Sequence, residues 1–207
     1  MIAQAPDVKE SGGGAVTSAA RLVRTTRRAA GLTQSDLASR AHDHQPAISA
    51  IESGLRDAGI GLVQKLLHAT DHTVIALPTS SRPVNEAADA IYVALRNGDS
   101  ELALREVVQL SDDLQRESGS IRVALTACPP PSTGDYRFDA LVASVVDYWL
   151  AQEQLPHAQW LLKPDLFLTQ PWFIDDLTEL HQHAKESTDP AFSARNVFVD
   201  IAFLASV

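Results

Sequence analysis

One cysteine and one methionine among 207 residues leave no material for a disulfide scaffold or a Cys-built zinc site. Long hydrophobic runs are missing as well, and nothing approaches the ~18 consecutive apolar residues that a membrane span needs. Residues 1–14 lack the apolar segment of a signal peptide and end in Gly12, Gly13 and Gly14. The expectation is a soluble, unexported, cytoplasmic protein with no membrane association. No Gly-rich phosphate loop and no nucleophile motif occurs, so neither catalysis nor a cofactor is expected.

Basic charge is also in short supply. Lys and Arg number 17 against 26 Asp and Glu, and the formal net charge of −9 argues against indiscriminate polyanion binding. The shortage is uneven: residues 1–78 hold eight basic and seven acidic residues, net +1, and residues 79–207 hold nine and nineteen, net −10. Between residues 16 and 60 every basic residue is Arg, and Arg21, Arg24, Arg27 and Arg28 fall on one expected helix. A surface able to face phosphates is expected only near the N-terminus.

What the chain has in quantity is apolar residues, 45% of the total, enough to bury the core of one or two domains. Residues 1–15 read as a flexible arm. A helix is expected over 17–30, with Leu22, Val23, Thr26 and Ala29 at helical spacing and Gly31 where a left-handed cap belongs. Thr33 caps a second helix, 34–41. After the polar break His42-Asp43-His44, a third spans about 45–53 with Ile48 and Ile51 inward, stopped by Gly54. Leu62, Leu66, Leu67 and Ala69 mark a fourth, and residues 73–77 either finish a core or pair as a strand.

Residues 79–85 have linker composition. The expected organisation is an arm at 1–15, a DNA-binding domain at 16–78, a linker at 79–85 and an acidic helical partner-binding or sensing domain at 86–207. In the last part, expected helices at 86–96 and 100–117 flank Asn97-Gly98-Asp99, and Ala103, Val107, Leu110 and Leu114 form an amphipathic stripe. The hairpin resembles a single tetratricopeptide-like unit, but no second copy follows at a fixed period, which argues against a solenoid. Residues 128–134, with three prolines, break the chain. Phe138, Leu141, Val142, Val145 and Trp149 form the next helical stripe, and Pro171-Trp172-Phe173 opens another with Leu177, Leu180 and Ala184. The tail, with Val197, Phe198, Val199, Ile201, Phe203 and Leu204, is too apolar to be free in water. The fold class is all-α: an N-terminal four- to five-helix domain and a C-terminal helical domain.

A helix-turn-helix needs two short helices crossing at a tight turn, a small residue at the crossing, and buried aliphatics that hold the second helix outward for a DNA major groove. Residues 33–54 supply these through Ala38, Leu37, Ile48, Ile51 and Gly54. The run Ala30-Gly31-Leu32-Thr33-Gln34-Ser35-Asp36-Leu37-Ala38, with Ile48-Ser49-Ala50-Ile51-Glu52-Ser53-Gly54-Leu55-Arg56, resembles the Cro and phage-repressor (XRE) helix-turn-helix family over residues 16–77. The resemblance implies that Gln34 contacts a phosphate and that Gln45 reads a base, since a Gln amide can pair bidentately with adenine. It places His44, Ala47, Ser49 and Ala50 on or beside the outward face and Arg56 near the DNA backbone, and implies that Arg27 and Glu52 tie the first helix to the third. Departures from the family pattern are His42 and Asp43 in the turn and Pro46 in the first turn of the recognition helix. Proline is tolerated there because its missing N–H would be unpaired in any case. His42 has to adopt a left-handed conformation, at ~1 kcal/mol or more. A degenerate domain kept for protein contacts is the bland alternative.

Other constellations carry less. His42, His44, His68 and His72 straddle separate helices with no Cys, so no metal site is expected. His181 and His183 diverge around a helix, as do the adjacent pairs Asp112-Asp113 and Asp175-Asp176. Cys128 has no basic neighbour to activate it. Trp149, Trp160 and Trp172 read as core anchors before they read as a ligand cage. The leading expectation is a sequence-specific DNA-binding regulator, a repressor that dimerises on double-stranded operator DNA. Its acidic C-terminal part would bind a partner, as in an antitoxin that represses its own operon and neutralises a cognate toxin. Residues 133–141, Pro171-Trp172-Phe173 and residues 195–200 faintly resemble C-terminal parts of bacterial proteins paired with such toxins. The competing expectations are a one-component regulator that senses a small molecule and a pure interaction adaptor.

Overall fold

A computed structural model describes residues 18–174 and 181–200. The expected arm at 1–15, Asp175-Asp176, Leu177, Leu180, Ile201, Phe203 and Leu204 lie outside the described residues, as do the side chains of Gln182 and His183. The described residues form ten α-helices and one two-stranded sheet, and they divide into two compact units, residues 1–75 and 76–207. No helix among them is long and apolar enough to cross a membrane.

The first unit contains α1 (Ser18–Ala29), α2 (Gln34–Arg40), α3 (Gln45–Glu52) and α4 (Ile60–His68). Backbone punctuation sets its boundaries. Gly31 at φ 69° ends α1, its N–H donating to the Arg28 carbonyl. Thr33 and Asp36 then cap α2 reciprocally, each side chain accepting from the other's backbone N–H. His42 adopts φ 49°, the left-handed conformation that its place in the turn demands. Val23, Leu37, Ala38, Ile48, Ile51, Val63 and Leu66 bury the facing stripes of all four helices in one core. Residues 73–77 form no strand.

The second unit contains α5 (Val84–Arg96), α6 (Ser100–Arg116), α7 (Gly119–Thr126), α8 (Tyr136–Gln152), two short 3-10 turns (Gln159–Leu162 and Pro164–Leu166), β1 (Trp172–Phe173), α9 (His181–Ser187), α10 (Pro190–Ser193) and β2 (Val197–Phe198). Ile91, Leu110, Leu114, Leu141 and Val145 are among its buried centre. Of residues 79–85, expected as linker, Val84 and Asn85 already belong to α5, and the residues before them are tied to α6 and its end: Ser81 donates to Glu117, and Arg82 pairs with Glu106 and Asp113 at 2.9 and 3.2 Å. Pro171-Trp172-Phe173 does not open a helix, as its sequence suggests. Trp172 and Phe173 form β1, parallel to Val197 and Phe198, because the strand's partner, far along the chain, satisfies its backbone where a helix would have used local bonds. Helix α7 was not anticipated. Arg122, 3% exposed, fixes it by donating to the carbonyls of Leu114, Glu117 and Trp149.

Candidate nucleic-acid interface

Helices α2 and α3 meet across the turn 41–44, and the residues of that turn explain how α3 is presented. The Asp43 N–H donates to the Ala38 carbonyl at 2.9 Å, and the Asp43 carboxylate accepts from the His44 N–H at 2.7 Å. The first bond belongs to the backbone and needs no particular side chain; the acid itself contributes one polar contact where the family pattern has an apolar one. Helix α3 has no side-chain cap, but Pro46 in its first turn removes one N–H that would otherwise lack a partner. Ile48, Ile51 and Glu52 are buried on its inner side; His44 and Gln45 are exposed at its start, and Ala47, Ser49 and Ala50 are half-buried along it. Gln45 and Ser49, four residues apart, share a face. Arg56 is exposed just beyond the helix, its backbone N–H held by the Ala50 carbonyl.

Beneath this face lies a charged anchor. Arg27 of α1 grips Glu52 of α3 in a two-pronged pair, Nε to Oε1 at 2.6 Å and a terminal N–H to Oε2 at 2.9 Å, with side chains 12% and 4% exposed. Arg27 also donates to the Leu32 carbonyl at 2.7 Å, and Arg24 donates to the Glu52 carbonyl. Of the four arginines that composition offers to phosphate, two thus turn inward onto one residue, while Arg28 is exposed. Burial alone would raise the Glu52 carboxyl pKa. The hydrogen bonds from Arg27 and Gln34, with the Arg27 and Arg24 charges, outweigh that and hold it below the ordinary carboxylate range.

The anchor continues to the surface through two amides. Gln34 Nε2 donates to Glu52 Oε2 at 3.0 Å, and Gln45 Nε2 donates to Gln34 Oε1 at 2.9 Å. The direction of this chain follows from its inner end. An ionised carboxylate only accepts, so Gln34 must turn its NH2 group inward and its carbonyl outward, and Gln45 must then donate. One Gln45 N–H is used; its carbonyl and its second N–H remain. Adenine offers one acceptor and one donor in the major groove, the complement of that remaining pair. The resemblance gives Gln34 and Gln45 separate roles, one on phosphate and one on a base, and implies no contact between them. Their bond joins residues eleven apart across the turn, and no local pattern signals it.

The other sequence candidates are dispersed. Among the described residues no group of three His, Cys, Asp or Glu could hold a metal ion, and His72 Nδ1 lies 2.6 Å from the Thr70 carbonyl oxygen. Burial raises the Cys128 thiol pKa, which disfavours the nucleophilic thiolate. The indole N–H groups of Trp149 and Trp160 donate to Ser111 and to the Thr126 carbonyl, and Trp172 packs against Phe138. Of the three, Trp160 alone lines the cavity bounded by residues 129–133.

Residues 23–73 match the helix-turn-helix family model, and that segment, wholly inside the first unit, is a helix-turn-helix domain of the XRE type. The match supports a DNA-binding transcriptional regulator. No curated protein and no solved structure matches the chain.

Proposed function

We propose that this XRE-type helix-turn-helix protein is a sequence-specific repressor that reads operator DNA through Gln45. The observation that carries the reading is the polarised amide chain from Glu52 through Gln34 to Gln45, which leaves a donor and an acceptor on the exposed start of α3. His44, Ala47, Ser49 and Ala50 complete the reading face, with Ala47 or Ala50 against a thymine methyl. Arg56 and the backbone side of Gln34 meet phosphate. A recognition helix of eight residues spans only a few base pairs, so the operator-bound form is a homodimer with half-sites about one helical turn apart. The test is a binding panel of operators substituted at each position. Gln45→Ala should lose ~1 to 3 kcal/mol and relax preference at one base pair per half-site. Equal loss at every sequence, or no loss, would overturn the assignment.

A second reading rests on the charge division of the chain. The net −10 of residues 79–207 favours a basic partner over DNA for that part, which suits an antitoxin that represses its own operon and neutralises a cognate toxin. Copurification with the product of the adjacent gene tests it. Absence of any complex with a neighbouring basic protein counts against it and leaves the DNA-reading proposal intact.

A further inference from the structure

Within the second unit a cavity of about 200 Å3 opens among α5, α8, the 129–133 loop and the two 3-10 turns. Its buried lining is apolar and includes Ala88, Val142 and Trp160. Its wall is the run Pro129-Pro130-Pro131, whose rings fix the backbone φ. The end of that wall is pinned where Asp139 accepts from Ser132 Oγ, the Thr133 N–H and Thr133 Oγ1, each at 2.7 Å. Trp160 is held by its indole N–H, which donates to the Thr126 carbonyl at 2.9 Å. The hollow is therefore preformed, as small-molecule sites usually are.

Two opposite charges stand on its rim. Lys163 and Asp165 both line the cavity and are exposed, yet they pair neither with each other nor with another described residue. Asp139 is already occupied by its three donors, so Asp165 is the anion left for a ligand. The volume lies below the ~300–1,000 Å3 of sites for drug-sized molecules, which excludes nucleotides and folded peptides. An occupant that uses this lining presents an anion to Lys163, a cation to Asp165 and a short apolar group to the buried side chains.

We propose that this cavity binds a free aliphatic amino acid, its carboxylate on Lys163, its ammonium on Asp165, and its side chain over Ala88, Val142 and Trp160. Titration calorimetry on the full chain with L-valine and L-leucine tests it, alongside leucinamide, which lacks the carboxylate, and 4-methylpentanoate, which lacks the ammonium. Saturable binding of at least one amino acid is expected, with each analogue about tenfold weaker than leucine, the loss of one charge-assisted contact. Asp165→Asn should weaken leucine and leave 4-methylpentanoate unchanged; Lys163→Gln should weaken leucine and leave leucinamide unchanged. Both substitutions are on the exposed rim and leave the core alone. No saturable heat from either amino acid, analogues binding as tightly as leucine, or wild-type affinity in both variants would each overturn the proposal. The titration contains no DNA, so its failure does not touch the operator reading.

Discussion

Replacing Glu52 with Ala isolates the anchor of the first unit. The carboxylate receives two hydrogen bonds from Arg27 and one from Gln34, and it is 4% exposed. Removing one partner of a buried pair typically costs ~3–5 kcal/mol, because the other charge is left without compensation. Arg27 keeps its bond to the Leu32 carbonyl and some access to water, so about 3 kcal/mol is expected. At ~0.05–0.15 kcal/mol per residue, a unit of this size is stable by only about 4–11 kcal/mol, and the loss should lower its midpoint by roughly 12–24 °C. The tryptophans make the assay specific to one unit, since Trp149, Trp160 and Trp172 all lie in the second. In the full chain, circular dichroism should show an early loss of helix in Glu52→Ala, while the tryptophan fluorescence transition stays where it is in the wild type. A destabilisation below about 1 kcal/mol would mean that the pair contributes little, and an equal shift of the fluorescence transition would mean that the effect is not local. Either result refutes the reasoning.

Three further outcomes are expected. A carboxyl whose folded pKa is lowered adds stability that is present above its unfolded pKa and is lost as pH falls through the folded value. Acid melts of the first unit should therefore steepen in that range, and Glu52→Gln should flatten the profile. Gln34→Ala should relax base preference at the same operator position as Gln45→Ala, because it removes the group that orients the reader; a uniform loss over all operators would show that Gln34 acts only on the backbone. Arg122→Ala removes a donor from each of three carbonyls, of which Leu114 keeps the Glu117 N–H, and it should destabilise the second unit by about 3 kcal/mol, measured as an earlier tryptophan transition.

The helices of the first unit are legible because each announces itself locally: Gly31 and Gly54 in left-handed caps, the Thr33–Asp36 box, and aliphatics at helical spacing. The Arg27–Glu52 pair was reachable only through resemblance, since nothing in composition says which of four arginines turns inward. What escaped the sequence depends on distant partners. Gly119 and the β-branched Ile121 and Val123 weaken any helical signal for α7, and Arg122 offsets that through carbonyls on α6 and α8. Pro171 reads as a helix opener until Val197 and Phe198 supply a strand beside it. The Gln34–Gln45 bond depends on the crossing of two helices, and the cavity on five segments that only the fold assembles.

The buried carboxylate has a role in recognition that its contribution to stability does not explain. Two glutamines bonded to each other are indifferent to direction, since either amide can donate; an acceptor-only group at the inner end removes that freedom. Glu52→Gln restores it. With Arg27 Nε holding the new carbonyl at the Oε1 position, the new NH2 takes the Oε2 position, gives up the terminal N–H of Arg27 and donates to Gln34 Oε1. Gln34 then turns its own NH2 outward to the Gln45 carbonyl, and Gln45 is left presenting N–H donors alone. Guanine, with two acceptors at N7 and O6, suits that edge better than adenine does. Glu52→Gln should therefore shift preference from adenine toward guanine at the base pair mapped by Gln45→Ala. The shift is bounded by the ~1–3 kcal/mol that separates a good bidentate pair from a wrong one, and a binding panel with all four bases at that position measures it. Undiminished adenine preference in Glu52→Gln, where Gln45→Ala has lost it, would show that the direction of the chain is set by the DNA and not by the carboxylate beneath it.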